Sequence, residues 1–126
     1  MIPKFKAFIN ATKQIEDVTL IHFDSRLIKV STGEWYVFED IILMQSTGLH
    51  DKNGVEIFEG DIVNVDCTFR NPMTGSGTLT LNKNFEVIFV NGMFTREGSI
   101  MGIDKDLECL TVIGNIYENP GLLEGV

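Results

Sequence analysis

The amino-acid sequence predicts an all-β domain, mainly antiparallel, arranged as a small barrel or a pair of packed sheets with short helical turns. Three observations carry this expectation. Apolar residues recur with period two along most of the chain, as strands with one buried face require. Turn-forming residues separate these runs at short intervals, which suits antiparallel connections. No segment of about ten residues or more carries the 3.6-residue period of a helix. At 126 residues the chain is expected to form one domain, 1–126, around a single sizeable core.

In "PKFKAFI", Phe5, Ala7 and Ile9 fall on one face with Lys4 and Lys6 on the other, a half-buried strand. "VTLIHF" (Val18 to Phe23) and "LIKV" (Leu27 to Val30) flank a "DSR" turn and read as a hairpin. "EWYVFEDIILMQ" is long enough for a bent strand or for one strand entering another. In it Trp35 and Val37 alternate with Tyr36 and Phe38, so one of these pairs can face outward as an interaction surface.

The stretch "LMQSTGLHDKNGVEIFEGDIVNV" (Leu43 to Val65) holds two turn signals and an acidic bend. Gly48 precedes the turn Asp51-Lys52-Asn53-Gly54, in which Asp51 accepts backbone hydrogen bonds and Asn53 and Gly54 tolerate positive φ. A calcium loop does not fit. Setting Gly54 at the sixth position puts Leu49 first and Gly60 twelfth, so neither end has a carboxylate. "EIFEGD" reads as one helical turn tucking Ile57 and Phe58 inward, with Glu56, Glu59 and Asp61 lining the outside and Gly60 reversing the chain. With no apolar pocket in view to raise a pKa, these acids read as a bend rather than a general acid/base pair.

From Asp61, "DIVNVDC" places Val63, Val65 and Cys67 on one face. "TFRNPMTGSGT" reads as a loop or hairpin tip, lacking the lysine and helix of a phosphate loop. "NFEVIFV", Asn91-Gly92 and "MFT" form the strongest hairpin signal in the chain. "REGSIMGIDKD" reads as a loop and "ECLTVIGNIY" as the last strand. Asn119 can then cap a short C-terminal helix with Pro120 in its first turn.

The net charge of −8 is uneven: residues 34–66 carry eight acids against Lys52 alone. Such a surface repels phosphate, so direct nucleic-acid binding is disfavoured, whereas a basic protein surface is a conceivable partner. No apolar run approaches the roughly 20 residues of a membrane helix. The N-terminus does not read as a signal peptide, which points to the cytoplasm. Cys67 and Cys109, in separate strand-like segments, read as reduced, buried thiols acting as small hydrophobes. With His22 and His50 they lack the close ligand pairs of a zinc site, so no metal or other cofactor is expected. Phe85, Phe89 and Phe94 have few basic neighbours and read as core rather than as a base-stacking platform.

"LMQSTGLHDKNGVEIFEGDIV" and the ending "VIGNIYENPGLLE" resemble the YopX family of phage and prophage proteins from Gram-positive bacteria. The opening "KFKAFINATKQIEDV" is similar to that family's start. Departures fall at Phe8, Ser46, Gly121 and the 70–78 loop, and touch packing rather than chemistry. The resemblance implies a mostly β fold, a temperate-phage genome and expression in a bacterial cytoplasm. It implies no reaction, so no catalytic residues carry over. The expectation is a non-enzymatic protein-interaction or self-associating module with an unidentified protein partner, a homo-oligomer. Its candidate surface comprises Trp35, Tyr36, Glu56, Glu59 and Asp61. The rivals are an acidic nucleic-acid mimic and a small enzyme using those carboxylates.

Overall fold

Backbone pairing sorts the chain into two antiparallel sheets. The computed structural model describes residues 4–70, 73–90, 92–96, 103 and 107–123. Among them lie ten strands: β1 Phe5–Ile9, β2 Gln14–His22, β3 Leu27–Val30, β4 Trp35–Val37, β5 Ile41–His50, β6 Glu56–Phe58, β7 Asp61–Arg70, β8 Thr78–Val90, β9 Met93–Arg96 and β10 Leu110–Asn115. The first sheet has the order β4-β3-β2-β1-β5-β6 and the second β10-β7-β8-β9. The helical segments are short 3-10 turns, at Phe38–Asp40, Leu107–Cys109 and Pro120–Leu123. The fold is mainly antiparallel all-β.

Hairpins account for most neighbours. β2 and β3 pair from Val18↔Val30 to His22↔Leu27, closing at Arg26 with φ +57°. β7 and β8 pair over nine residues, from Ile62↔Glu86 to Arg70↔Thr78. β8 and β9 pair through Val90↔Met93 across Gly92, whereas Asn91 lies outside the described residues. So does most of the segment "REGSIMGIDKD". β1 is the central exception: it pairs with its neighbour β2 and with β5, from Phe5↔Gln45 to Ile9↔Ile41.

Among the described residues the buried side chains form two clusters, where a single core was expected. The first joins Ala7, Ile9, Ile28, Val30 and Ile41, with Val18, Ile21, Tyr36, Phe38 and Leu43 around them. Every member comes from the six-stranded sheet or the turn between β4 and β5, so that sheet curls over its own apolar face. The second joins Ile57 of β6 with Val63, Val65, Val87, Ile103 and Leu110, and draws in Leu49 of β5. β5 therefore serves both clusters, through Ile41 and Leu43 in the first and Leu49 in the second, while β6 serves the second alone.

Three local expectations need correction. "EIFEGD" is a strand followed by a tight turn, not a helical turn, because β6 hydrogen-bonds to β5: the Thr47 hydroxyl donates to the Ile57 carbonyl at 2.8 Å. β1 is covered on both faces at its end, since Phe8, on the face opposite Ala7 and Ile9, stacks on Tyr117 at 5.2 Å between ring centroids. The C-terminal turn is 3-10, and Asn119 does not cap it with its side chain. Asn119 Oδ1 instead accepts the Asn115 N–H, 3.3 Å away at the end of β10.

Candidate functional site

The acidic stretch around β6 is where the two sheets meet. The Gly60 N–H donates to the Val87 carbonyl, the Ile116 N–H donates to the Gly60 carbonyl, and the Lys52 N–H donates to the Leu110 carbonyl. Asp51 is buried and binds three backbone donors: Asn53 and Val55 in its own turn, and Val112 on β10. Burial alone would push its carboxyl up, but the Val112, Val55 and Asn53 N–H groups outweigh it and hold the pKa below the usual value. Gly54 takes φ +84° in this turn, while Asn53 stays at negative φ. Gly48, at φ +76°, lies within β5 where its register with β6 shifts.

Gly60 adopts φ +90°, and a Cβ there would stand 3.1 Å from the Tyr117 ring. This conformation and this close approach both call for glycine. The tight reversal turns Asp61 inward, so its carboxylate accepts the Phe58 N–H at 2.8 Å and is buried. Desolvation raises its pKa to about 6, against the lowering effects of the Phe58 N–H and the Lys6 charge. Here the structure corrects two sequence expectations: Asp61 does not line the outside, and an environment that raises a carboxyl pKa does exist. Burial of the carboxyl is its origin, and the local sequence carries no signal for it.

The three acids do not converge. Glu56 accepts a short hydrogen bond from the Ser46 hydroxyl and lies 3.4 Å from the Lys4 ammonium. The Ser46 bond chiefly lowers its pKa, with burial opposing and Lys4 and His50 assisting. Glu59 is half-buried near Tyr117, whose pKa is raised by burial and then by Glu59 and Glu86. Elsewhere in the acidic third, Glu39 pairs with Arg26 at 2.6 Å. The acidic third thus divides among buried, paired and exposed positions instead of forming one face.

Of the three acids, Glu56 alone lines a groove of about 640 Å³. Its walls are Lys4 just before β1, Phe5 and Lys6 of β1, Asp17, Val18 and Thr19 of β2, and Glu56 and Phe58 of β6, with exposed Val55 beside them. Lys6 and Asp17 are cross-strand partners, yet the ammonium leans the other way and sits 4.5 Å from the Phe58 ring centroid.

A separate feature occupies the outer face of β2, β3 and β4. Trp35 is 46% exposed and Val37 and Leu20 are exposed beside it. The His22 ring meets Trp35 edge-on at 5.7 Å and the Lys29 ammonium lies over its face. Tyr36 points the other way, packs on the first cluster and donates its hydroxyl to Glu34. The alternation thus turns Trp35 and Val37 outward, and the expected Trp35/Tyr36 surface loses Tyr36. Phe85 and Phe94 pack on the second cluster, with Phe89 exposed against Phe94.

Cys67 and Cys109 are joined as a disulfide, with Cα atoms 5.3 Å apart. This corrects the expectation of two reduced thiols. Cys67 follows Val63 and Val65 on the buried face of β7, and Cys109 sits just before Leu110 of β10, which pairs with Val65. The β7–β10 register brings the two together, and that register was not visible in the spacing of the cysteines.

Over residues 4–124 the chain matches the family described as YopX protein. The chain belongs to the YopX family. The YopX match takes in both sheets and the join between them. The crystal structure of protein EF1440 from Enterococcus faecalis is similar, at 32% identity and a TM-score of 0.69. That likeness covers 98% of this YopX chain and 99% of the other. No curated protein matches the chain. No helix among the described residues is long and apolar enough to cross a membrane.

Proposed function

We propose that this YopX protein is a phage- or prophage-encoded, non-enzymatic interaction module that self-associates through the outer face of β2, β3 and β4. The observation that carries this reading is Trp35, 46% exposed on an edge strand and flanked by exposed Leu20 and Val37. A tryptophan so placed is a favoured interface anchor, and an edge strand offers unpaired backbone groups to a second copy. A two-fold pairing would bury both copies' patches at once. The family and its Enterococcus relative support the phage setting. Host cytoplasm is the compartment proposed, and against it weighs the Cys67–Cys109 disulfide, since thiols there are held reduced.

The test is sedimentation of the full chain over a wide concentration range, alongside Trp35→Ala and Val37→Lys. The expected result is a wild-type oligomer and monomeric variants with unchanged circular dichroism. A wild type that stays monomeric throughout rejects self-association. Capture from an infected host, washed at low and then high salt, would then ask whether the same face holds another protein.

A further inference from the structure

The groove between β2 and β6 carries two charges that form no ion pair with its own walls: Lys6, which acts only at longer range on the buried Asp61, and Asp17. Among the described residues the ion pairs are Lys4–Glu56 and Arg26–Glu39, so Lys6 and Asp17 do not pair with each other. Lys6 is drawn across to the Phe58 ring on β6, while Asp17 stays on β2 at the opposite wall. The strand order β2-β1-β5-β6 separates those walls by three strand spacings. At ~4.8 Å each this is at most roughly 14 Å across a curled sheet, and side-chain reach from both walls brings it to on the order of 10 Å or less. An extended peptide of about three residues spans that distance.

We propose that the groove binds a short peptide with free termini, about three residues long, its ammonium at Asp17 and its carboxylate at Lys6. Phe5, Val18 and Val55 supply apolar surface for its side chains, and the volume of about 640 Å³ is ample for it. A zwitterion also suits the molecule as a whole, because a chain of net charge −8 repels a simple anion before it reaches Lys6. Lys4 is held by Glu56 and does not compete for the carboxylate. The groove shares no residue with the Trp35 face, so it stands or falls apart from self-association.

The experiment is an amide NMR titration of the full chain with the tripeptide Ala-Leu-Ala, free at both ends, N-acetylated, or C-amidated. Saturable shifts confined to β1, β2 and β6 are expected with the free peptide. Each capped form should bind at least about tenfold more weakly, equivalent to ~1.4 kcal/mol. Lys6→Met and Asp17→Asn should each give a similar loss while keeping the dispersed spectrum of the folded protein. No saturable shift at millimolar peptide, or equal binding by a capped form, overturns the proposal. So do shifts centred elsewhere.

Discussion

Asp51 and Asp61 flank β6 and meet opposite electrostatic fates. At Asp51 three N–H donors outweigh the desolvation, whereas at Asp61 a stronger desolvation prevails over a single donor. For Asp61 the folded pKa of about 6 lies above the ordinary 3.8, so folding takes up a proton between these values. Its burial is therefore harmless below pH ~4 and destabilises progressively up to pH ~6, by at most roughly 3 kcal/mol. Urea unfolding should show the wild type roughly 1 kcal/mol more stable at pH 5 than at pH 7.5. Asp61→Asn keeps an acceptor for the Phe58 N–H and should flatten that slope; an unchanged slope would assign it to another group. Asp51 and Glu56, both lowered, act in the other direction. Their stabilisation is full above the ordinary carboxylate range and is lost only as pH falls through their folded values, outside this window. The Asp51 turn was legible because Asx-turn chemistry is local. The burial of Asp61 was not, because it depends on how β6 and β7 pack in the folded molecule rather than on local turn chemistry.

Elements were legible where pairing is local and blurred where a distant partner decides. Alternation in "DIVNVDC" gave the buried face of β7, and "LIKV" gave β3 complete. The start of β2 at Gln14 was missed, since its signal is pairing with β1 rather than apolar content. The C-terminal turn depends on such a distant fit. A Cβ on Gly114 would stand 2.6 Å from Asn119 Oδ1 and 2.9 Å from Leu122 Cδ1. Gly114→Ala should push this turn off β10 and break the bond from the Asn84 amide to the Leu122 carbonyl, now 2.8 Å. The expected loss is roughly 1–3 kcal/mol, with faster amide exchange at Leu122. An alanine variant that melts like wild type would show that the turn contributes little. The disulfide closes a separation of 42 residues between β7 and β10. Reduction should lower stability by roughly 2–4 kcal/mol, read as a shift in the denaturation midpoint with and without reductant.

The whole molecule is two cores sharing one join, and the join is densely hydrogen-bonded through Asp51, Lys52 and Gly60. It should therefore unfold as one unit. Trp35, the sole tryptophan, reports on the first sheet, while circular dichroism reports on both. Their urea transitions are expected to coincide; an earlier fluorescence transition would mean that the curled sheet opens by itself. The order of strands has a further effect during synthesis. All of β1 to β6 lies before Asp61, so a chain emerging from the ribosome can complete its first sheet while the second is unmade. Leu49 and Ile57 would then stand uncovered, because Leu110 and the other side chains that bury them are translated later. For that interval the nascent chain offers a narrow apolar strip, a foothold for a chaperone and a point where two unfinished chains could adhere.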